Sequence, residues 1–183
     1  MDRCINPRCI QLTKIEAAKH QIESAIWLWF VDGDIVSVQT LAGAAHRLLR
    51  ELAASRGTRP WPLTDSYVRK ESTPRRTVWS EDAVGYFEIA KREERYEVSE
   101  QWTELNLFDA VMSYGSLAPE RAGSALMSTF VVRFGVERQD LFVDDAFSLL
   151  EKRVSSSFNL ERLEGLSRMD FLKEFLGYLE SAG

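Results

Sequence analysis

TKIEAAKHQIESAIWLWFVDGDIVSVQTLAGAAHRLLRELAASRG, residues Thr13 to Gly57, reads as two long helices folded back on each other through Asp32-Gly33-Asp34. In its first half the apolar residues Ile15, Ala18, Ile22, Ala25, Ile26, Trp29 and Phe30 recur at the three-and-four spacing of one helix face. Thr13 followed by Glu16 gives a capping box, in which hydroxyl and carboxylate satisfy N–H groups that the first turn leaves unpaired. Trp27, Leu28 and Val31 add apolar surface on the other sides, so the last turns are expected to be buried nearly all round. At the turn, Gly33 is expected to take a positive φ and Asp34 to cap the following helix. Two aspartates around one glycine, without the further oxygens of a calcium loop, read as turn chemistry.

The second helix is expected from Ile35 to about Arg56, with Val38, Leu41, Ala42, Ala45, Leu48, Leu49 and Leu52 inward and Gly57 as left-handed C-cap. Further helices follow outward from this hairpin. Ser80 opens one that reaches Arg95, and Ser99 opens another that Gly115 should stop, burying Trp102, Leu105, Phe108, Val111 and Met112. Pro119 fits the first position of the next, which should end near Gly135. Its Val131-Val132-Arg133-Phe134 has strand character, but the upstream period is helical. A sixth long helix is expected over Leu141 to Val154, a short one over Leu160 to Leu163, and a last one capped by Ser167 with Asp170. That last helix aligns Phe171, Leu172, Phe175, Leu176 and Leu179. The expected architecture is all-α: one domain over residues 1–183, a bundle of about six to eight helices built on the N-terminal hairpin. Residues 1–10 read as a poorly ordered leader and 58–79, with Pro60, Pro62 and Pro74, as a long basic connection.

The chain has 183 residues, of which 45% are hydrophobic and 28% charged, ordinary values for a globular domain with a sizeable core. No apolar run approaches the roughly 20 residues that span a bilayer, and the N-terminus lacks a signal-peptide core, so a cytoplasmic protein without membrane contact is expected. Cys4 and Cys9 are the only cysteines and have no companions to complete a zinc site, so neither metal nor other cofactor is expected. The net charge of −5 disfavours a dedicated nucleic-acid binder, but it is unevenly placed. Arg47 to Arg76 carries a local +5, and Ser80 to Asp109 a local −6. Arg69, Lys70, Arg75 and Arg76 in the basic connection are the candidate contacts for an anionic partner or phosphate.

Three patches carry a resemblance: Ala25 to Phe30 running on to Thr40 to Ala45 and Leu49 to Leu52; then Gly85 to Ala90; then Leu107 to Val111 with Tyr114. About half the chain resembles an uncharacterised family of short all-helical bacterial proteins, which implies a fold and no reaction. In that family His is usual where Gln39 stands, and an Asn-Phe-Phe-Lys-His-like run where Gly85 to Ile89 stands. A polar site in the relatives would therefore be altered or lost here. The architecture is also similar to that of HEPN domains, helical bundles that include ribonucleases. Their Arg with a His four to six residues later is missing upstream of both His20 and His46.

Acid–base or nucleophilic catalysis needs a nucleophile, a base within reach and a group that holds developing charge. No nucleophile elbow, P-loop, dinucleotide fingerprint or zinc helix occurs, so no catalytic residue is assigned. His20, Gln39 and His46 are the candidate polar-site positions, and the two histidines could approach each other across the hairpin. The expected function is a non-enzymatic interaction or regulatory module, with a protein partner or a second copy covering a helix face. The alternative is a divergent HEPN-like nucleic-acid or nucleotide-binding protein without the ribonuclease motif, using the four basic residues. A small hydrolase with a site assembled from distant residues is the third class.

Overall fold

A computed structural model describes residues 10–58, 98–119, 123–143 and 165–182. These form α1 (Lys14–Phe30), α2 (Ile35–Ser55), α3 (Glu100–Leu117), α4 (Ala125–Glu137), a short 3-10 helix (Gln139–Leu141) and α5 (Arg168–Ala182). No β-strand occurs among the described residues, and the fold is all-α. The leader with Cys4 and Cys9, the basic connection from residue 59 on, the expected helices at 80–95 and 160–163, and most of the one at 141–154 lie outside the described residues.

Local chemistry sets the helix ends. The Thr13 N–H donates to Glu16 at 2.8 Å while the Thr13 hydroxyl accepts from the Glu16 N–H, closing the capping box of α1. Asp34 accepts from the Ser37 N–H at 2.8 Å and caps α2. These hydrogen bonds from the Ser37 hydroxyl and N–H hold the exposed Asp34 carboxyl below its ordinary range. The cap therefore contributes above the usual carboxylate range and is lost as pH falls through the lowered folded value. Ser124 accepts from the Met127 N–H, and Ser167 pairs with Asp170, at the starts of α4 and α5.

The turn between α1 and α2 departs from expectation in its backbone. Asp32, not Gly33, takes the left-handed conformation, at φ 49°. The Gly33 N–H donates to the Leu28 carbonyl at 2.8 Å and the Asp32 N–H to Trp29, the two bonds of a Schellman C-cap with Asp32 at its left-handed position. Gly33 is required for closeness instead: a Cβ there would lie 3.0 Å from the Leu28 carbonyl oxygen. The same motif closes α2 with Gly57 at φ 66°, the Thr58 N–H donating to Ala53. Gly177, by contrast, stands in the interior of α5 with open space around it. Gly57→Ala should lower the unfolding free energy by ~1–2 kcal/mol, and Gly177→Ala should raise it by ~0.5–1 kcal/mol, read from urea midpoints.

Helix α2 packs against both α1 and α3, and α5 against α4 and α1. Fully buried Ala18 and Ala25 on α1 and Ala42 and Ala45 on α2 leave room for close approach, and Ile22, Ile26, Phe30 and Leu49 fill the core between. A cluster of rings from α1, α3, α4 and Phe142, just past the 3-10 helix, completes it. Trp29 meets Phe30 and Phe130 edge-on at 4.9 Å, and Phe108, Phe134 and Phe142 lie 5.1–5.7 Å from one another.

Several expectations are corrected by this packing. The last turns of α1 are not buried all round: Trp29 is 3% exposed but Trp27 is 50%, so the amphipathic division persists to the turn. The buried face of α2 includes Gln39, Gly43, His46 and Ala53, while Leu41, Leu48 and Leu52 are only half-buried. Helix α3 continues through Gly115 to Leu117, since an exposed glycine costs little in a last turn. Helix α4 starts at Ala125 behind the Ser124 cap, not at Pro119, and runs on to Glu137. Val131 to Phe134 are helical.

Candidate functional site

Helix α3 is buried on nearly every side, and it carries polar side chains into the interior in two directions. Glu104 and Asn106 are two residues apart, roughly 200° around a 3.6-residue helix, so they serve opposite faces. One face is closed by its own partners.

On that face the Glu104 Oε1 accepts from the Trp29 indole N–H at 2.9 Å and from Arg168 at 2.8 Å, and its Oε2 accepts from Arg138 at 2.9 Å. Arg168 lies 4.0 Å above the Trp29 ring, donates to Glu137 at 3.1 and 3.2 Å, and reaches Asp32 at 3.4 Å. Burial works against its charge, but the hydrogen bond and charge of Glu137, with Glu104 and Asp32, outweigh this and raise its proton affinity above the ordinary value. Arg133 adds a 2.6 Å bond to Glu137, another at 2.9 Å to the Leu166 carbonyl, and stacks 5.2 Å over Phe171. Both Glu104 oxygens are thus used, and the network links α1, α3, α4 and α5. Its geometry is that of a structural tie.

The other face meets α2. There His46 Nε2 contacts Asp109 Oδ2, with Asn106 and Ser113 on the same side of α3 and Gln39 two turns before His46 on α2. These five side chains are 2–8% exposed. Between Gln39 and His46 that face of α2 carries the small, buried residues Ala42 and Gly43. Gln39 Oε1, Asn106 Oδ1, Asp109 Oδ1 and Ser113 Oγ are buried without a hydrogen-bond partner. Such oxygens are costly to leave unpaired, about 1–3 kcal/mol each. Their concentration beside one His–Asp pair marks the site, since buried polar groups are otherwise almost always satisfied.

The structure therefore places two of the three polar positions expected from sequence in one seam. Gln39 and His46 share it, whereas His20 stands exposed on α1 and does not meet His46 across the hairpin. Arg69, Lys70, Arg75 and Arg76 lie outside the described residues. Asp109, Asn106 and Ser113 were not singled out by sequence reasoning. Their signal was the interruption of an apolar run, Leu105 to Tyr114, by polar residues at three- and four-residue spacing.

Among the described residues no group of three or more His, Cys, Asp or Glu could hold a metal ion. No described helix is long and apolar enough to cross a membrane. Compared with protein-family models, with curated proteins and with solved structures, the chain matches none.

Proposed function

We propose that this chain is a non-enzymatic binding module of the interaction or regulatory kind, in which the α2/α3 seam receives a polar group from a protein partner or ligand. One observation carries the reading: of the two buried polar faces of α3, the Glu104 face is fully partnered and the Asp109 face is left with three unpaired oxygens, joined by a fourth from Gln39 of α2. A purely structural seam would be expected to close as the Glu104 network does. Catalysis is less well served. Arg133, Arg138 and Arg168, whose partners are on the far side of α3, are tied to Glu104 and Glu137 and do not stand ready to stabilise a developing anion at His46. The same reading takes the chain as a cytoplasmic bundle of six to eight helices built on the α1/α2 hairpin.

The test compares tagged wild type with Asp109→Asn and Ser113→Ala for what each retains from its native extract at moderate salt. A stoichiometric component held by wild type and reduced at least about tenfold in Asp109→Asn, ~1.4 kcal/mol of binding free energy, is the expected result. Equal retention by all three would remove the seam from binding. RNA retained without protein, and lost as salt rises, would favour the HEPN-like alternative.

A further inference from the structure

We infer that the group held by the seam is a planar, donor-rich cation of the guanidinium class. This rests on the binding-module reading and adds the chemistry of what is bound. Of the five buried unpaired oxygens among the described residues, Gln21 Oε1 lies on α1 and the other four, on Gln39, Asn106, Asp109 and Ser113, belong to the seam. Carboxylate and amide oxygens accept hydrogen bonds and do not donate, and a hydroxyl can accept as well. An anion or a bare carbonyl would set acceptor against acceptor. The complement is a group of several N–H donors, and the Asp109 carboxylate favours one with positive charge.

Spacing separates an organic cation from a metal ion. Asn106 and Ser113 are seven residues apart, about 10.5 Å along the axis of α3, with Asp109 between them. A calcium ion needs its oxygens within ~2.3–2.6 Å of one centre, which a row of that length does not favour. A guanidinium spreads its N–H donors around the edge of a rigid plane and can address neighbouring acceptors along a row. Asp109 Oδ2 already faces His46, so the cation would use Oδ1 together with one neighbouring oxygen, that of Asn106 a turn before or that of Ser113 a turn after. Such a group could be a free small guanidine or the arginine side chain of a protein partner.

The chain reports on itself, because it contains only two histidines. His46 lies in the seam and exposed His20 is the internal control. Imidazole resonances of the full chain are followed while methylguanidinium is added at concentrations below those that unfold it, with urea as planar neutral control and magnesium and zinc salts as metal controls. The expected result is a saturable shift of His46 alone, with methylguanidinium and not with urea. Asp109→Asn should weaken it at least about tenfold, ~1.4 kcal/mol; if that variant fails to fold, Ser113→Ala should weaken it several-fold. An arginine-containing tripeptide binding at least about tenfold tighter than methylguanidinium assigns the cation to a partner's arginine, and equal affinity assigns it to a free guanidine. No saturable His46 shift, equal shifts with urea, or a shift only with metal would overturn the inference. In those cases a component still captured through Asp109 from extract would leave the binding-module reading standing, whereas failure of capture together with the cation result would end both.

Discussion

Glu104→Ala is expected to destabilise the fold by ~3–5 kcal/mol, because removing one member of a buried charged network strands the others. Its carboxylate receives the Trp29 N–H, Arg168 and Arg138 with a side chain only 2% exposed. Alanine would leave the indole N–H without its acceptor and bring two guanidinium groups together over one fewer negative charge. Glu104→Gln is the informative companion. It keeps the volume and one acceptor oxygen while removing the charge, and should recover part of the loss. Denaturant midpoints of the wild type and both variants, read with an unchanged m-value, supply the measurement. A Glu104→Ala midpoint equal to wild type would show that the arginines find other partners and that the network is not a tie.

The second large effect is expected at Phe130. Its ring is fully buried, 4.9 Å from Trp29 edge-on and 5.7 Å from Phe134 in a stacked pair. Truncation to alanine removes transfer free energy and leaves a cavity beneath the ring cluster, a loss of ~3–5 kcal/mol. Trp27→Ala is the control, since half of that side chain already faces water. It should change stability far less than Phe130→Ala, although both remove an aromatic from the same helical bundle. Comparable losses from the two would mean that Trp27 is covered in solution.

Caps built from residues three or four apart were the most legible feature of this sequence, whereas the ends expected at Gly115 and Pro119 lack such a pair and fall elsewhere. Thr13 with Glu16, Asp34 with Ser37, Gly57, and Ser167 with Asp170 all act within one turn, and each occurs where the pattern indicates. The stripe of α5 is likewise local: Phe171, Leu172 and Phe175 are buried. What could not be read was α3. A helix enclosed on all sides has no single apolar stripe, so Glu104 and Asp109 count in the sequence only toward the acidic stretch Ser80 to Asp109, although both are buried. Their burial depends on Arg168 and Arg138 in one case and His46 in the other, partners 34 to 64 residues away. Sequence spacing carries no trace of such contacts.

The same limit applied to the seam. Gln39 and His46 drew notice as a departure from a family pattern and as one of two histidines, and their burial follows from the rotation of α2 toward α3. Trp27 and Trp29 differ by two positions and are equally apolar. The helical spacing puts Trp29 and not Trp27 on the inward stripe, and Phe130 and Arg168 are what cover it there.

Arg168, at the first turn of α5, holds Glu104 on α3 and reaches Asp32 at the end of α1, 136 residues away in sequence. For anyone choosing fragments to express, this sets a boundary. A truncation placed after α4 would look safe on hydropathy, yet it would deprive an interior carboxylate of one of its two arginines and uncover the Trp29 ring. The shortest piece of this chain with a self-sufficient core therefore has to extend past residue 168, and the last helix belongs to the core rather than to a detachable tail.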